Sequence, residues 1–271
     1  MALLDNIIGC WSPSVRGSGY LLPDLAGGGN HCVLTNMTAD DWVPVSLAGA
    51  SGKALDFDGV NDVAACAKPS QRLLMTPTTP WTVSAWLNPR LAPSGVPCLV
   101  GTWHISTNVS GWLIGLRPDG TLGFGALIEA GSSGLYSRTS TALAAKWQHV
   151  VVVYYGEVRT ANNIVGEVYI DGVAVSIAAL AAGSFATCTS PQFSIGGNYD
   201  GNGSNSVQIG EVAVFLGNKT PVEARELYRR GNGGIGRVLT GQSRRPVYGA
   251  APSFKAAWAL RRSQIIGGGL R

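Results

Sequence analysis

Acid–base or hydrolytic chemistry needs two groups that converge on one substrate atom, and the ionisable residues of this chain are sparse and scattered. The carboxylates in strand-like stretches stand alone: Asp56 and Asp58, Glu167, Asp171 and Glu211. Asp56 and Asp58 share one strand face, as residues two apart do, but Asp58 opens an Asp-Gly turn, which suits a turn residue or cation ligand better than a nucleophile. His31, His104 and His149 are far apart and belong to no His-Glu-x-x-His or triad-like signature. A structural role is expected for each. The run "GNGGIG" (Gly231–Gly236) has a phosphate-loop look but follows a helical stretch, with no strand-to-helix turn after it. The five cysteines, Cys10, Cys32, Cys66, Cys98 and Cys188, are odd in number and form no Cys-x-x-Cys pair, so buried free thiols are expected. These patterns predict no enzyme, and no metal or redox site built on cysteine or histidine.

Binding chemistry has more to draw on. Trp103 and Trp112 flank "HISTNVSG", a loop that could present an aromatic ring for stacking on a sugar, whereas Trp81, Trp86 and Trp147 lie in strand patterns and are expected in the core. The net charge of +4 hides a segregation. Residues 1–224 carry 10 Lys/Arg and 15 Asp/Glu (−5), while residues 225–271 carry 10 Lys/Arg against Glu226 alone (+9). The basic character therefore belongs to the C-terminal end, which closes on "SFKAAWALRRSQIIGGGLR". Such an arm suits an acidic protein surface, nucleic acid or anionic lipid. Nucleic acid is disfavoured, because the strand region is acidic and lacks interleaved basic and aromatic residues. Membrane spanning is not expected, since no uninterrupted apolar run approaches ~18 residues. The start, "MALLDNIIGCW", reads as lacking a basic leader and signal peptide, so synthesis in the cytosol is expected.

The elements that must position these groups are short strands. With 37 Gly, 14 Pro and 13% charged residues, the composition favours strands and turns over helix. "KALDFDGVND" and "WTVSAWLNP" alternate with period two; "GWLIGLRPDGTLGFGAL" and "GEVYIDGVAV" read as hairpins turning at Asp119-Gly120 and Asp171-Gly172. "KWQHVVVVYY" is apolar throughout, as in a central strand covered on both faces. Thr220-Pro221-Val222-Glu223 predicts a capping box opening a two-turn helix that stops at Gly231. "GNGGIG" then reads as a linker, with an extension beyond it too poor in periodic apolar residues for its own core.

In this order, "ALDFDGVND", "WTVSAWLNP", "WQHVVVVYYG", "GEVYIDGVAV", "SIGG", "IGEVAVF" and "TPVEARELYRRG" resemble the laminin-G/concanavalin A-like domains over about residues 53–230. The resemblance implies an all-β jelly-roll sandwich of two antiparallel sheets, with one short C-terminal helix and an extended basic C-terminal arm. It divides the chain into a lead-in packing on the body (1–52), the jelly roll (53–231) and the arm (232–271). Hydrolases of this fold carry Glu-x-Asp-x-Glu or Glu-x-Asp-x-x-Glu along one strand, and that run is missing here. Several relatives hold Ca²⁺ at one edge, which implies Asp58, Asn61 and Asp62 as calcium ligands; no other cofactor is implied. The relatives' last strand often reads Ile-Asp-Glu-Val, but Gly210 stands here where the Asp would complete such a site. The Trp-x-His-Val pattern implies a packing role for His149.

The lead-in "GCWSPSVRGSGYLLPDLAGGGNHCVLTNM" and the Arg-rich extension are similar to laminin-G-like proteins of tailed phages and prophages. This implies a non-enzymatic virion protein, specifically a capsid decoration or cement protein, homo-oligomeric and attached to partners such as the major capsid protein. Arg244, Arg245, Phe254, Trp258, Arg261, Arg262, Ile265, Ile266 and Arg271 are the expected assembly residues. The alternative is a carbohydrate-binding module of a tail fibre or cell-surface protein, using Trp103 and Trp112.

Overall fold

The computed structural model describes residues 3–17, 19–47, 50–76, 78–90, 98–102, 111–128, 133–157, 165–181, 192–198 and 205–242. The chain divides into two units, 1–240 and 241–271. The expected assembly residues from Arg244 to Arg271, together with Trp103, His104 and Cys188, lie outside the described residues.

The body is a sandwich of two antiparallel sheets. The first runs, in spatial order, β14 (Val173–Val175), β13 (Gly166–Ile170), β12 (Gln148–Tyr154), β7 (Trp81–Pro89), β17 (Ser206–Leu216), β5 (Ala50–Asp58) and β4 (Trp42–Leu47), with β1 (Ile7–Trp11) pairing on β17. The second runs β15 (Ile177–Ala181), β11 (Ser133–Thr139), β10 (Leu122–Ile128), β9 (Gly111–Leu116), β8 (Cys98–Gly101), β16 (Phe193–Ile195), β6 (Val63–Cys66), β3 (Cys32–Thr35) and β2 (Leu21–Leu22). Both hairpins expected from the sequence are present, β9–β10 and β13–β14. The second turns through Asp171 (φ 51°) and Gly172 (φ 78°), the two positive angles that a tight hairpin turn requires.

Alternation along the central strands sets the layers. Val150, Val152 and Tyr154 of β12 face the inter-sheet core with Trp11, Phe57 and Trp81, while Val151 and Val153 face a second apolar layer outside the first sheet. Helix α1 (Pro221–Arg230) covers that layer with Ala224 and Leu227. Its capping box forms as expected: Thr220 Oγ1 accepts from the Glu223 N–H, and Glu223 Oε2 accepts from the Thr220 N–H at 2.9 Å.

Two expectations give way. Gly231–Gly236 is no linker: α2 (Gly234–Leu239) begins within it, Gly234, Ile235 and Gly236 are buried, and the first unit extends to Thr240, beyond the expected boundary at 231. Glycine serves close approach here. A Cβ on Gly236 would stand 2.8 Å from Leu25 and 3.1 Å from Ser12. The segment before residue 53 also contributes more than a packed lead-in, since β1 and β4 pair in the first sheet and β2 and β3 in the second.

Candidate functional site

The C-terminal end of the body is fastened by a buried polar clasp built on a β-bulge. Between Ile209 and Val212 the pairing of β17 with β7 slips, so Gly210 and Glu211 together oppose Trp86. The bulge aims the Glu211 carboxylate at α2. Its Oε1 accepts from the Ile235 N–H at 3.0 Å and its Oε2 from the Gly236 N–H at 2.7 Å, while the Glu211 N–H donates to Asn232 Oδ1 at 2.8 Å. Asn232 Nδ2 in turn donates to Ser14 Oγ at 3.1 Å and to the Lys53 carbonyl at 3.4 Å. One side chain thus ties the exit of the body to β17, to the lead-in and to β5. A Cβ on Gly210 would stand 2.5 Å from Asn232 Oδ1, so a side chain at the bulge would push Asn232 out of the clasp.

Glu211 is only 3% exposed. Burial pushes its carboxyl up to about 7, against the opposing pull of the Gly236 and Ile235 N–H groups and of Arg237. Among the described residues no acid acts on the raised carboxyl, and its two oxygens each accept from a backbone N–H. It is a structural latch, in a position where a catalytic acid would be sought.

The other strand acids are likewise engaged. Glu167 accepts from Tyr155 Oη at 2.7 Å and from Tyr169 Oη; Asp171 Oδ1 accepts from the His149 N–H at 2.9 Å; Asp56 pairs with Arg90 and accepts from Gln208. His149 is 1% exposed, shares a 2.8 Å hydrogen bond between Nε2 and Ser84 Oγ, and lies against the Trp86 and Tyr228 rings. Burial lowers its imidazole to about 3, so it stays neutral and fills the packing role that the sequence suggested. His31 accepts the Asp24 N–H on Nδ1.

At the expected calcium position the oxygens serve their own backbone. Asp58 Oδ1 accepts from the Val60 N–H at 2.7 Å and the Asn61 N–H at 3.3 Å, Asp62 Oδ2 from the Asp58 N–H at 2.9 Å, and the Asn61 carbonyl from Asn36 Nδ2. This is an Asx-rich turn. Burial, then the neighbouring Asp58 and Asp41, raise the Asp62 carboxyl to about 6. Among the described residues no group of three His, Cys, Asp or Glu is arranged to hold a metal.

Trp112 is a correction to the glycan-binding expectation. It is 1% exposed; its Nε1 donates to the Leu73 carbonyl at 2.8 Å, and its ring packs against Trp81 and Phe193 in the inter-sheet core. Residues 111–116 form a strand, and even positions of that strand point inward. Trp81 and Trp86 are buried as expected, whereas Trp147 is half-buried just ahead of β12. Cys10, Cys32, Cys66 and Cys98 are buried free thiols, with Cys98 pushed up to about 12 by burial.

Two antiparallel sheets packed in this strand order define a jelly-roll sandwich. The chain belongs to the Concanavalin A-like lectin/glucanases superfamily, which it matches over residues 58–224. No curated protein matches the sequence. Among solved structures, the binding domain of Paraclostridial Mosquitocidal Protein 1 is similar, with 16% identity and a TM-score of 0.57 over 84% of this chain and 52% of that one. The botulinum neurotoxin serotype D/C binding domain aligns with 13% identity and a TM-score of 0.53, over 84% and 53%. Trypanosoma rangeli sialidase in complex with sialic acid aligns with 17% identity and a TM-score of 0.54, over 83% of this chain. The chain spans about half the length of the toxin domains and 33% of the sialidase. At these identities the likeness is one of fold.

Proposed function

We propose that this chain is a non-enzymatic structural protein whose jelly-roll body is fastened to a larger assembly through its basic C-terminal arm, with the virion of a tailed phage as the assembly and capsid decoration as the role. The observation that carries this reading is the Glu211–Asn232 clasp. It locks the point where the chain leaves the body to a central strand and to the lead-in, so tension on the arm would be borne by the core of the first sheet. Charge supports it: residues 243–271 hold six Lys/Arg and no acid, while residues 1–242 hold 14 Lys/Arg against 16 Asp/Glu, a net −2. An arm of that charge favours acidic shell proteins or sister subunits. The structural use of every described strand acid supports the absence of catalysis, and the lead-in resemblance supports the phage setting.

The test compares the full chain with a version ending at Gln242, by light scattering and by co-sedimentation with particles. Ending at Gly231 would strip α2 from Glu211 and confound the result. The expected outcome is an assembling full chain and a folded, non-assembling body. A full chain that neither assembles nor binds particles would overturn the reading.

The second reading, a carbohydrate-binding domain, is favoured by the lectin-type fold and by similarity to toxin binding domains and a sialidase. With Trp112 in the core, it would rest on Trp103, which lies outside the described residues, or on groups exposed on the body. Glycan-array binding that is lost in Trp103→Ala would support it, and a blank array would remove it.

A further inference from the structure

The edge of the second sheet carries an apolar surface that none of the described residues covers. Leu21 of β2 and Val33 of β3 are cross-strand partners on the outer face, 46% and 53% exposed, and Tyr20 beside them is 70% exposed. Their neighbours on the same strands, Leu22 and Leu34, are buried in the core, so strand alternation turns Leu21 and Val33 outward. Val33 also lines a shallow groove of about 480 Å³ that continues over Thr35, Ala65 and Ala67. Ala65 pairs with Val33, so small side chains leave this stretch of sheet open to an incoming chain. The edge strand is two residues long, and its outer edge pairs with no other strand among the described residues.

The groove has a charge polarity. Lys68 is the cation at one end, beside the His31 ring, whose Nδ1 accepts from the Asp24 N–H. At the other end Thr35 leads into Asn36, which bonds the Asn61 carbonyl; Asp40, Asp41 and Asp58 lie beyond the groove lining, in the turns that follow on that side, and make no ion pair among the described residues. Asp41 and Asp58 lie close enough to the buried Asp62 to oppose its ionisation. The surface therefore calls for a segment with large apolar side chains followed closely by cations. The chain contains one outside the described residues: Trp258-Ala259-Leu260-Arg261-Arg262.

We propose that this face is the seat for the arm of a second copy, with Trp258 and Leu260 on Leu21, Val33 and the groove, and Arg261 and Arg262 toward Asp40, Asp41 and Asp58. Contact between an arm on one copy and a body face on another closes as a two-fold dimer when two copies exchange arms reciprocally, and otherwise propagates or closes into a ring. This deepens the assembly reading by naming a sister subunit as the arm's partner, and it rests on that reading.

The experiment uses the full chain. Sedimentation velocity across a concentration series is expected to show self-association, weakened about tenfold or more by Val33→Asp, by Leu21→Asp and by Trp258→Ala. Arg261→Ala with Arg262→Ala, or high salt, is expected to weaken it less. Val33 and Leu21 face solvent, so these variants remain folded. A benzoylphenylalanine at position 33, photolysed in a mixture of ¹⁴N- and ¹⁵N-labelled protein, is expected to give mixed-isotope crosslinks within residues 255–262. A monomeric wild type, crosslinks confined to one copy, or crosslinks elsewhere would each overturn the proposal. Arm-dependent particle binding that persists in Val33→Asp without these crosslinks would sink this inference alone. Particle binding that is unaffected by loss of residues 243–271 would sink the assembly reading as well.

Discussion

Replacing Glu211 with glutamine tests whether the clasp is a buried ionisable latch. In the folded protein burial lifts this carboxyl from 4.5 to about 7. Between those values the native state holds a proton that the unfolded chain has released, so Glu211 makes stability fall as pH rises from about 4.5 to about 7. At 1.36 kcal/mol per unit, the lift corresponds to about 3 kcal/mol across that window. The amide in the variant cannot titrate. Relative to wild type, Glu211→Gln should therefore gain about 3 kcal/mol between pH 4.5 and pH 8, whatever its offset from replacing a carboxylate at the Ile235 and Gly236 N–H groups. The assay is urea unfolding of both proteins at half-unit steps of pH, and the difference curve removes the contributions of Asp62 and His149. Hydrogen exchange at Ile235 and Gly236 supplies a local readout, with faster exchange expected in the variant. A difference curve that is flat, or that slopes the other way, would refute the argument that burial dominates the two N–H contacts.

Trp112→Ala should cost about 3–5 kcal/mol in unfolding free energy, because it opens a cavity between Trp81 and Phe193 and strands the Leu73 carbonyl; near-wild-type stability would refute its core placement. His149 behaves oppositely to Glu211: its folded value near 3 lies below the ordinary 6.5, so its contribution is complete above about pH 6.5 and is lost as pH falls below it. Comparing His149→Phe with wild type in denaturant between pH 6.5 and 4.5 should show the wild type losing about 1.4 kcal/mol per unit more than the variant. Calcium chloride and EDTA should leave Tm unchanged, since Asp58 Oδ1 and Asp62 Oδ2 already serve the Val60, Asn61 and Asp58 N–H groups; a calcium-dependent rise in Tm that is lost in Asp58→Asn would contradict the Asx-turn assignment.

Local signals in the sequence were enough for the strand alternation, the two hairpin turns and the Thr220–Glu223 capping box, because each rests on contacts within a few residues. The double-sided burial of β12 was legible too, since a run of valines with no polar alternation has no face to give to water. Three features required the tertiary structure. Trp112 sits beside a loop in sequence, but strand parity and the opposing sheet turn it inward onto Phe193, a partner 81 residues away. Gly231–Gly236 has the composition of a linker, because glycine serves free chain and tight packing alike; only the approach of Leu25, Ser12 and Glu211 shows which. Glu211 is one acid in an apolar strand until the bulge at Gly210 aims it at α2 and Asn232 completes the tie. Sequence determined the elements because their causes are local; the clasp and the uncovered sheet edge were decided by side chains that meet only after the chain has closed on itself.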